Sequence, residues 1–255
     1  MNDQTRAVLN KVPQVTLAFW IIKIFATTLG ETGGDELSMT LNVGYAMSTV
    51  ILFGIFLVTL VAQISAKKYN PILYWLVILS TTTAGTTMSD FLDRSAHLGY
   101  IGGSLLLIAI LVGVLVAWRQ ALGSISFNHV VDPKVEAFYW VTILFSITLG
   151  TALGDYMSDD AGLGYTGGAL VIGAALAVVA ALYFFTKIPR TILFWLAFVL
   201  TRPLGATLGD TLTKPISHGG LNLGTLQSST VLAVAMVVLV ALLARKPAAE
   251  KTAEH

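Results

Sequence analysis

Eight stretches of mostly apolar residues, roughly 13–35, 41–64, 71–91, 98–118, 135–156, 164–186, 190–211 and 222–244, fill this chain of 255 residues. Each is long enough to cross hydrocarbon as a helix, which takes about 20 residues. Composition points the same way: 55% of the residues are hydrophobic and 11% charged, with a mean hydropathy of +0.78. A soluble domain carries about 25% charge, so too little polar surface is left here to face water. The lipid bilayer is the expected solvent and partner, and the expected fold is an all-α integral membrane domain spanning 1–255. The chain has no cysteine, which excludes disulfides, thiolate metal sites and Cys nucleophiles. Net charge is +1 and nucleic acid is not an expected partner. The polar segment Met1–Pro13 lacks an apolar core followed by small residues, so no cleaved signal is expected and the first span directs insertion.

The spans alternate in character, and the alternation is an internal repeat. Trp20, Trp75, Trp140 and Trp195 occupy one point of the odd spans; ten residues later stand Gly30, Gly85, Gly150 and Gly205, and five further on Asp35, Asp90, Asp155 and Asp210. Nine residues past the aspartate come Gly44-Tyr45, Gly99-Tyr100 and Gly164-Tyr165, while the fourth copy has a longer loop and reaches Gly224-Thr225. Eight transmembrane helices therefore form four helical-hairpin repeats, about 11–69, 70–125, 133–187 and 190–246, in a pseudo-four-fold arrangement. Each unit has two spans, so the copies are parallel, unlike the inverted repeats of many transporters.

Charge sets the orientation. Lys67, Lys68, Arg119, Lys134, Lys187 and Arg190 fall in the even-to-odd loops, and Arg6, Lys11, Arg245, Lys246 and Lys251 near the termini. The positive-inside rule makes that side cytoplasmic. The expected location is a bacterial inner membrane, with both termini inside and all four aspartate turns outside.

Nine of the 14 carboxylates lie in those turns: Glu31, Asp35, Glu36, Asp90, Asp93, Asp155, Asp159, Asp160 and Asp210, against the cations Lys23, Arg94, Arg202 and Lys214. Odd helices point their C-terminal carbonyls at the same place, each end carrying about half a negative charge. The preceding glycines permit either unwinding, which would expose carbonyls to a cation, or close helix approach. Helical spacing puts Thr28, Thr32 and Asp35 on one face, as it does Thr83, Thr87 and Asp90; Thr148 with Asp155 and Thr207 with Asp210 keep part of that stripe. A second stripe joins Lys23, Thr27 and Glu31, and Arg202 occupies the position equivalent to Thr27. Intramembrane Lys23 and Arg202 are costly against lipid and must face the bundle interior, with Glu31 or an aspartate as counter-ion. For the aligned aspartates the competing role is capping and solvation at the outer interface. The four Trp residues read as packing or interface anchors, and the loop histidines His97 and His218 as poor metal ligands.

The strings KIFATTLGETGGDELS, TTTAGTTMSDFLDR, ITLGTALGDYMSDDAGLGY and TRPLGATLGDTLTKP resemble a bacterial family of multi-pass proteins labelled uncharacterised membrane-anchored protein, over nearly the whole chain. That label implies no activity. GETGGDELS also looks like the acidic signature of manganese/calcium cation exchangers, with an extra residue after Glu31 and no Glu in the other copies. That likeness serves only to rank cations.

The expected function is transport of a cation, through a transporter or channel. Oxygen ligands suit a hard divalent ion such as Mn²⁺, Mg²⁺ or Ca²⁺. The expected ligands are Glu31, Asp35, Asp90, Asp155 and Asp210, and Glu31 with Lys23 would form a proton-coupled switch. One alternative is an anion or small organic acid held by Lys23 and Arg202; another is a structural or sensory subunit. With no Cys, clustered His, HExxH or GxSxG string, an enzyme is not expected. No cofactor beyond a divalent cation is implied, and the oligomeric state is open.

Overall fold

The computed structural model describes residues 11, 13–123, 125 and 132–245. Arg6, Lys246, Lys251 and most of Met1–Pro13, on which the sequence reading drew, lie outside the described residues. Among the described residues eight long helices run in chain order: α1 (Leu17–Asp35), α2 (Tyr45–Ser65), α3 (Pro71–Asp90), α4 (Gly99–Leu122), α5 (Pro133–Asp155), α6 (Gly164–Phe185), α7 (Arg190–Thr213) and α8 (Thr225–Arg245). Sequence signals start them. Asn70 and Asp132 cap α3 and α5 by accepting backbone N–H bonds, and Pro71 and Pro133 follow at the first helical turn, where a missing N–H costs nothing.

The odd helices do not unwind at their glycines. Each of the first three stays helical through its aspartate and widens into a π-helical turn: Glu36–Thr40, Phe91–Ser95 and Tyr156–Asp160. The end carbonyls are consumed locally, as Leu41, Ala96 and Ala161 N–H donate to Glu36, Phe91 and Tyr156 O at 2.8, 2.7 and 2.8 Å. Of the two roles the sequence left open for the glycines, unwinding and close helix approach, the second is the one formed. The chain then reverses through Asn42 or His97, both left-handed, and enters the even helix at Gly44, Gly99, Gly164 or Gly224, with φ of 79°, 63°, 65° and 81°. That backbone favours glycine, which accounts for the first residue of each Gly-Tyr or Gly-Thr pair.

The odd helices α1, α3, α5 and α7 form a closed ring in which each packs against the next and α7 returns to α1. The even helices lie outside it. The main partner of an even helix is not the odd helix of its own repeat but that of the following one: α2 packs on α3, α4 on α5, α6 on α7, and α8 closes onto α1. The repeat is thus a helical hairpin in sequence whose two arms are bound to different neighbours.

Small residues allow this closeness. A Cβ on Gly85 would meet Ile147 Cγ2 at 2.7 Å, one on Gly150 would meet Arg202 Cβ at 2.6 Å, and one on Gly205 would meet the Thr27 carbonyl carbon at 2.7 Å; Gly30 abuts the Thr82 side chain in the same way. These contacts form one interlocking level around the ring, the glycine of each repeat against the residue seven past the tryptophan of the next. Nearer the helix starts, Phe19, Tyr74, Tyr139 and Phe194 pack against Trp75, Trp140, Trp195 and Trp20 respectively. The aromatic level fills that end of the ring, and Tyr74 and Tyr139 share a hydroxyl hydrogen bond of 3.0 Å. The tryptophans are packing groups, one of the two roles read from the sequence.

Helices α2, α4, α5, α6, α7 and α8 are long and apolar enough to cross a membrane, and the chain is a multi-pass helical membrane protein. α1 and α3 fall below that mark by composition. Their Thr, Gly and charged residues are buried in the ring and need no lipid-compatible surface. The even helices carry that surface: Val50, Leu105, Leu170 and Val231 are all exposed.

Candidate functional site

From the aromatic level outward, the ring interior is built in helical turns. First comes Lys23, at the position held by Ile78, Ile143 and Phe198 in the other repeats, all four fully buried. One turn further lie Thr27, Thr82, Ile147 and Arg202. Glu31, Thr86, Thr151 and Ala206 follow, and then the four aspartates. Hydroxyls on these turns bond across helix interfaces: Thr27 to Thr201 O at 3.1 Å, Thr82 to Ala26 O at 3.2 Å and Thr86 to Gly30 O at 3.3 Å.

Arg202 reaches Glu31 through Nη2 at 2.7 Å and also bonds the Thr86 hydroxyl. Thr86 donates to Glu31 Oε2 at 3.3 Å. The counter-ion question left by the sequence is thereby answered: Glu31 belongs to Arg202, and the Lys23–Glu31 pairing is not formed. Lys23 Nζ has no hydrogen-bond partner among the described residues and lies 4.1 Å from the centre of the Phe198 ring.

Asp35, Asp90, Asp155 and Asp210 are all buried. They divide into two pairs, each bridged by a cation from the adjoining loop. Lys214 lies 2.6 Å from Asp35 and 3.5 Å from Asp210. Arg94 lies 3.1 Å from Asp90 and 3.7 Å from Asp155, with Asp159 at 3.9 Å. Partial burial opposes the charge on Lys214, yet Asp35 and Asp210 hold its ammonium well above the usual lysine range. The same contest, won by Asp90 and Asp155, raises Arg94. Tyr45 and Tyr100, from α2 and α4, present their rings to Arg94 at 5.9 and 5.8 Å.

Glu31, Asp35 and Asp210 form the tightest acidic group: one oxygen from each lies within 4.8 Å of the others, and all three are buried. Asp90 and Asp155 stand apart, joined through Arg94. The predicted hydroxyl stripe does not enter the group. Thr28, Thr83, Thr87, Thr148 and Thr207 return their hydroxyl protons to carbonyls of their own helices. Thr32 accepts from Ser229 of the outer helix α8 at 2.7 Å, and the Thr207 methyl faces Gly168 of α6. The hydroxyl that reaches the charged centre is that of Thr86, which the sequence reading passed over; its place level with Glu31, eleven residues past the tryptophan, was the available signal.

Two buried acids lie outside this cluster. Asp93 accepts from Ser89 at 3.2 Å through Oδ2, while its Oδ1 lies against Gly103 with no hydrogen-bond partner among the described residues. Burial pushes the Asp93 carboxyl up to about 6 against the opposing pull of Ser89 and Arg94. At the aromatic end, Glu136 is fully buried and paired with Lys11 at 2.7 Å. Lys11 also donates to Ile64 O at 2.9 Å, and Gln63 donates to Glu136 at 3.4 Å. Lys11, counted in the sequence among the positive charges near the termini, is a structural ion-pair partner. The His218 side chain lies outside the described residues, and His97 serves the left-handed turn.

No curated protein and no solved structure matches the chain. A family defined by a repeat matches it four times, over residues 18–69, 73–121, 138–188 and 193–248. Each match holds one odd helix and the even helix that follows, the same unit that builds the ring, and the chain belongs to the family described as Repeat of Unknown Function (DUF347).

Proposed function

We propose that the protein is a transporter for a hard divalent cation, Mn²⁺, Mg²⁺ or Ca²⁺, and that the ion binds where α1 meets α7, at Glu31, Asp35 and Asp210. One observation carries this reading: three buried carboxylates from α1 and α7 place oxygens within 4.8 Å of one another. Carboxylate oxygens in such a group suit hard cations, and buried acids in a membrane protein are costly enough to mark ion pathways. Asp90 and Asp155 extend the negative field on the other side of the ring. The charge asymmetry of the loops supports an outward-facing position for this end. The aromatic level fills the opposite end, which favours a transporter that opens its ends in turn over an open channel. Lys214 and Arg202 neutralise the acids when no ion is bound, and an arriving divalent ion takes their place.

The test is thermal stability of the purified protein in MnCl₂, MgCl₂ and CaCl₂ against choline chloride, followed by ion uptake into reconstituted vesicles. Divalent ions are expected to stabilise the wild type, and the Asp35→Asn and Asp210→Asn variants are expected to lose both that stabilisation and uptake. Equal stabilisation of the variants, or none in the wild type, overturns the reading. Arg202 Nε, like Lys23 Nζ, has no acceptor among the described residues, so stabilisation by anions at a fixed cation would move the site to these two residues.

A further inference from the structure

The Arg202–Glu31 pair leaves Lys23 as a buried cation with no acid of its own. Its side chain is fully buried, and its Nζ lacks a hydrogen-bond partner among the described residues. The groups on its level are Ile78 from α3, Ile143 from α5 and Phe198 from α7, none of them ionisable. The outer helix α8, packed on α1, contributes the apolar Met236 and Val240 to the neighbouring core. Arg202 is the charged group that acts on Lys23, and it repels. Glu31, two turns along the same helix, is already engaged by Arg202. Tyr74 and Tyr139, at the aromatic level, satisfy each other.

A lone ammonium in such a place is held by little more than the Phe198 face. Isolated buried charges are neutralised rather than tolerated, and a cation over an aromatic ring offsets only part of the loss. The amine therefore has two states within reach, whereas the guanidinium of Arg202 stays protonated.

We propose that Lys23 is a proton carrier, which makes the transport a cation–proton exchange; this rests on the reading of Glu31, Asp35 and Asp210 as the cation site. A divalent ion binding at Glu31 draws the carboxylate away from Arg202. The freed guanidinium then acts on Lys23 uncompensated, in a medium where charges are poorly screened. One N–H bond of the ammonium breaks, its electron pair stays on Nζ, and the proton passes to water. When the ion leaves, Glu31 returns to Arg202 and Lys23 takes a proton back. Binding of the ion and of the proton thus oppose each other through a single charged relay, and by linkage the effect runs equally both ways.

Two measurements test this, with Lys23→Met and Lys23→Arg beside the wild type. In weakly buffered detergent containing an indicator dye, adding MnCl₂ is expected to release up to one proton per bound ion from the wild type. Both variants should release less than half of that while still being stabilised by Mn²⁺. Full release from either variant, or stabilisation of the wild type without release, overturns the coupling. The second measurement needs no ion. Between about pH 6 and about pH 9 the melting temperature of the wild type should rise relative to that of Lys23→Met, as the cost of the ammonium disappears. The Lys23→Arg variant should show no such rise. A pH-independent difference between wild type and Lys23→Met overturns the proton-carrier role. If Mn²⁺, Mg²⁺ and Ca²⁺ all fail to stabilise the wild type, the cation-site reading and the coupling fall together, and the pH comparison alone decides whether Lys23 exchanges a proton.

Discussion

Arg202 of the last repeat and Glu31 of the first meet at 2.7 Å in the interior of the helix ring, both shielded from solvent. Removing one member of such a pair strands the other, at a cost of about 3–5 kcal/mol. Arg202→Met is therefore expected to destabilise strongly, and Glu31→Gln nearly as much. The double variant should recover most of the loss, because no charge is left unmatched. Denaturation of the four proteins in one detergent measures the coupling; additive losses would show that the two side chains do not act as a pair.

Gly205 and Gly113 make a matched test of the ring. Alanine at Gly205 would press on the Thr27 carbonyl carbon at 2.7 Å, and backbone cannot swing aside. Overpacking of this kind costs about 1–3 kcal/mol. Alanine at Gly113, in the lipid-facing α4, meets nothing within 4 Å. There the better helix propensity of alanine, worth up to about 1 kcal/mol, should leave stability unchanged or slightly raised. Melting temperatures of Gly205→Ala and Gly113→Ala are expected to move apart by several degrees; equal values would refute the close approach.

Asp93 gives the protein a pH-dependent penalty of definite sign. Its carboxyl is raised by burial from 3.8 to about 6, so the folded protein holds the proton more tightly than the unfolded chain. The contribution to stability is full below about pH 4, fades as pH climbs through about 6, and stays lost above that. The Asp93→Asn variant, which mimics the protonated acid, should match the wild type near pH 4. At pH 7 it should be the more stable by about 1 kcal/mol, less than the 1.36 kcal/mol for each pH unit would give because the site is partly screened by water. Thermal denaturation of both proteins across this range checks the crossover, and a constant difference would place the Asp93 carboxylate in a solvated site instead.

At the opposite end, the Lys11–Glu136 pair ties the segment before α1 to α2 and α5. Lys11→Met should cost about 3 kcal/mol by stranding Glu136. Because the pair is buried, raising the salt from 0.1 to about 0.5 M should change that cost little. Lys134→Met, an exposed change on the same α5 turn, should fall within about 0.5 kcal/mol of the wild type. A loss in Lys11→Met that vanishes with salt would mean the pair is open to water.

The register of Trp, Gly and Asp made the four copies and their levels legible before any coordinates. Trp20, Gly30 and Asp35 and their counterparts do form three successive levels of one ring. Which stripe of α1 faces inward was not legible. Adjacent residues on a helix point about 100° apart, so the Thr28 and Thr27 columns were rivals. The choice fell to the close contacts at Gly30 and Gly205, which turn the Thr27 column inward. The partner of Glu31 was equally hidden. Lys23 shares its helix, whereas Arg202 is 171 residues away and becomes a neighbour only when the ring closes. The π-helical turns that absorb the end carbonyls, and the burial of Lys11, likewise depend on contacts that no local pattern records.

Ring closure has an uneven consequence. Three of the four junctions between repeats are crossed by the polypeptide itself; the junction of the fourth repeat with the first is made by non-covalent contacts alone. There Lys23 meets Phe198, Arg202 meets Glu31, Lys214 meets Asp35, Thr225 meets Glu36 and Ser229 meets Thr32. Four departures from four-fold sequence symmetry, Lys23, Glu31, Arg202 and Lys214, are therefore gathered at the one seam the chain does not sew. Buried ionic partners are suited to fixing register, so these residues act as a keyed clasp. It recognises the correct two ends of a row of near-identical units and lets a linear chain finish as a circle.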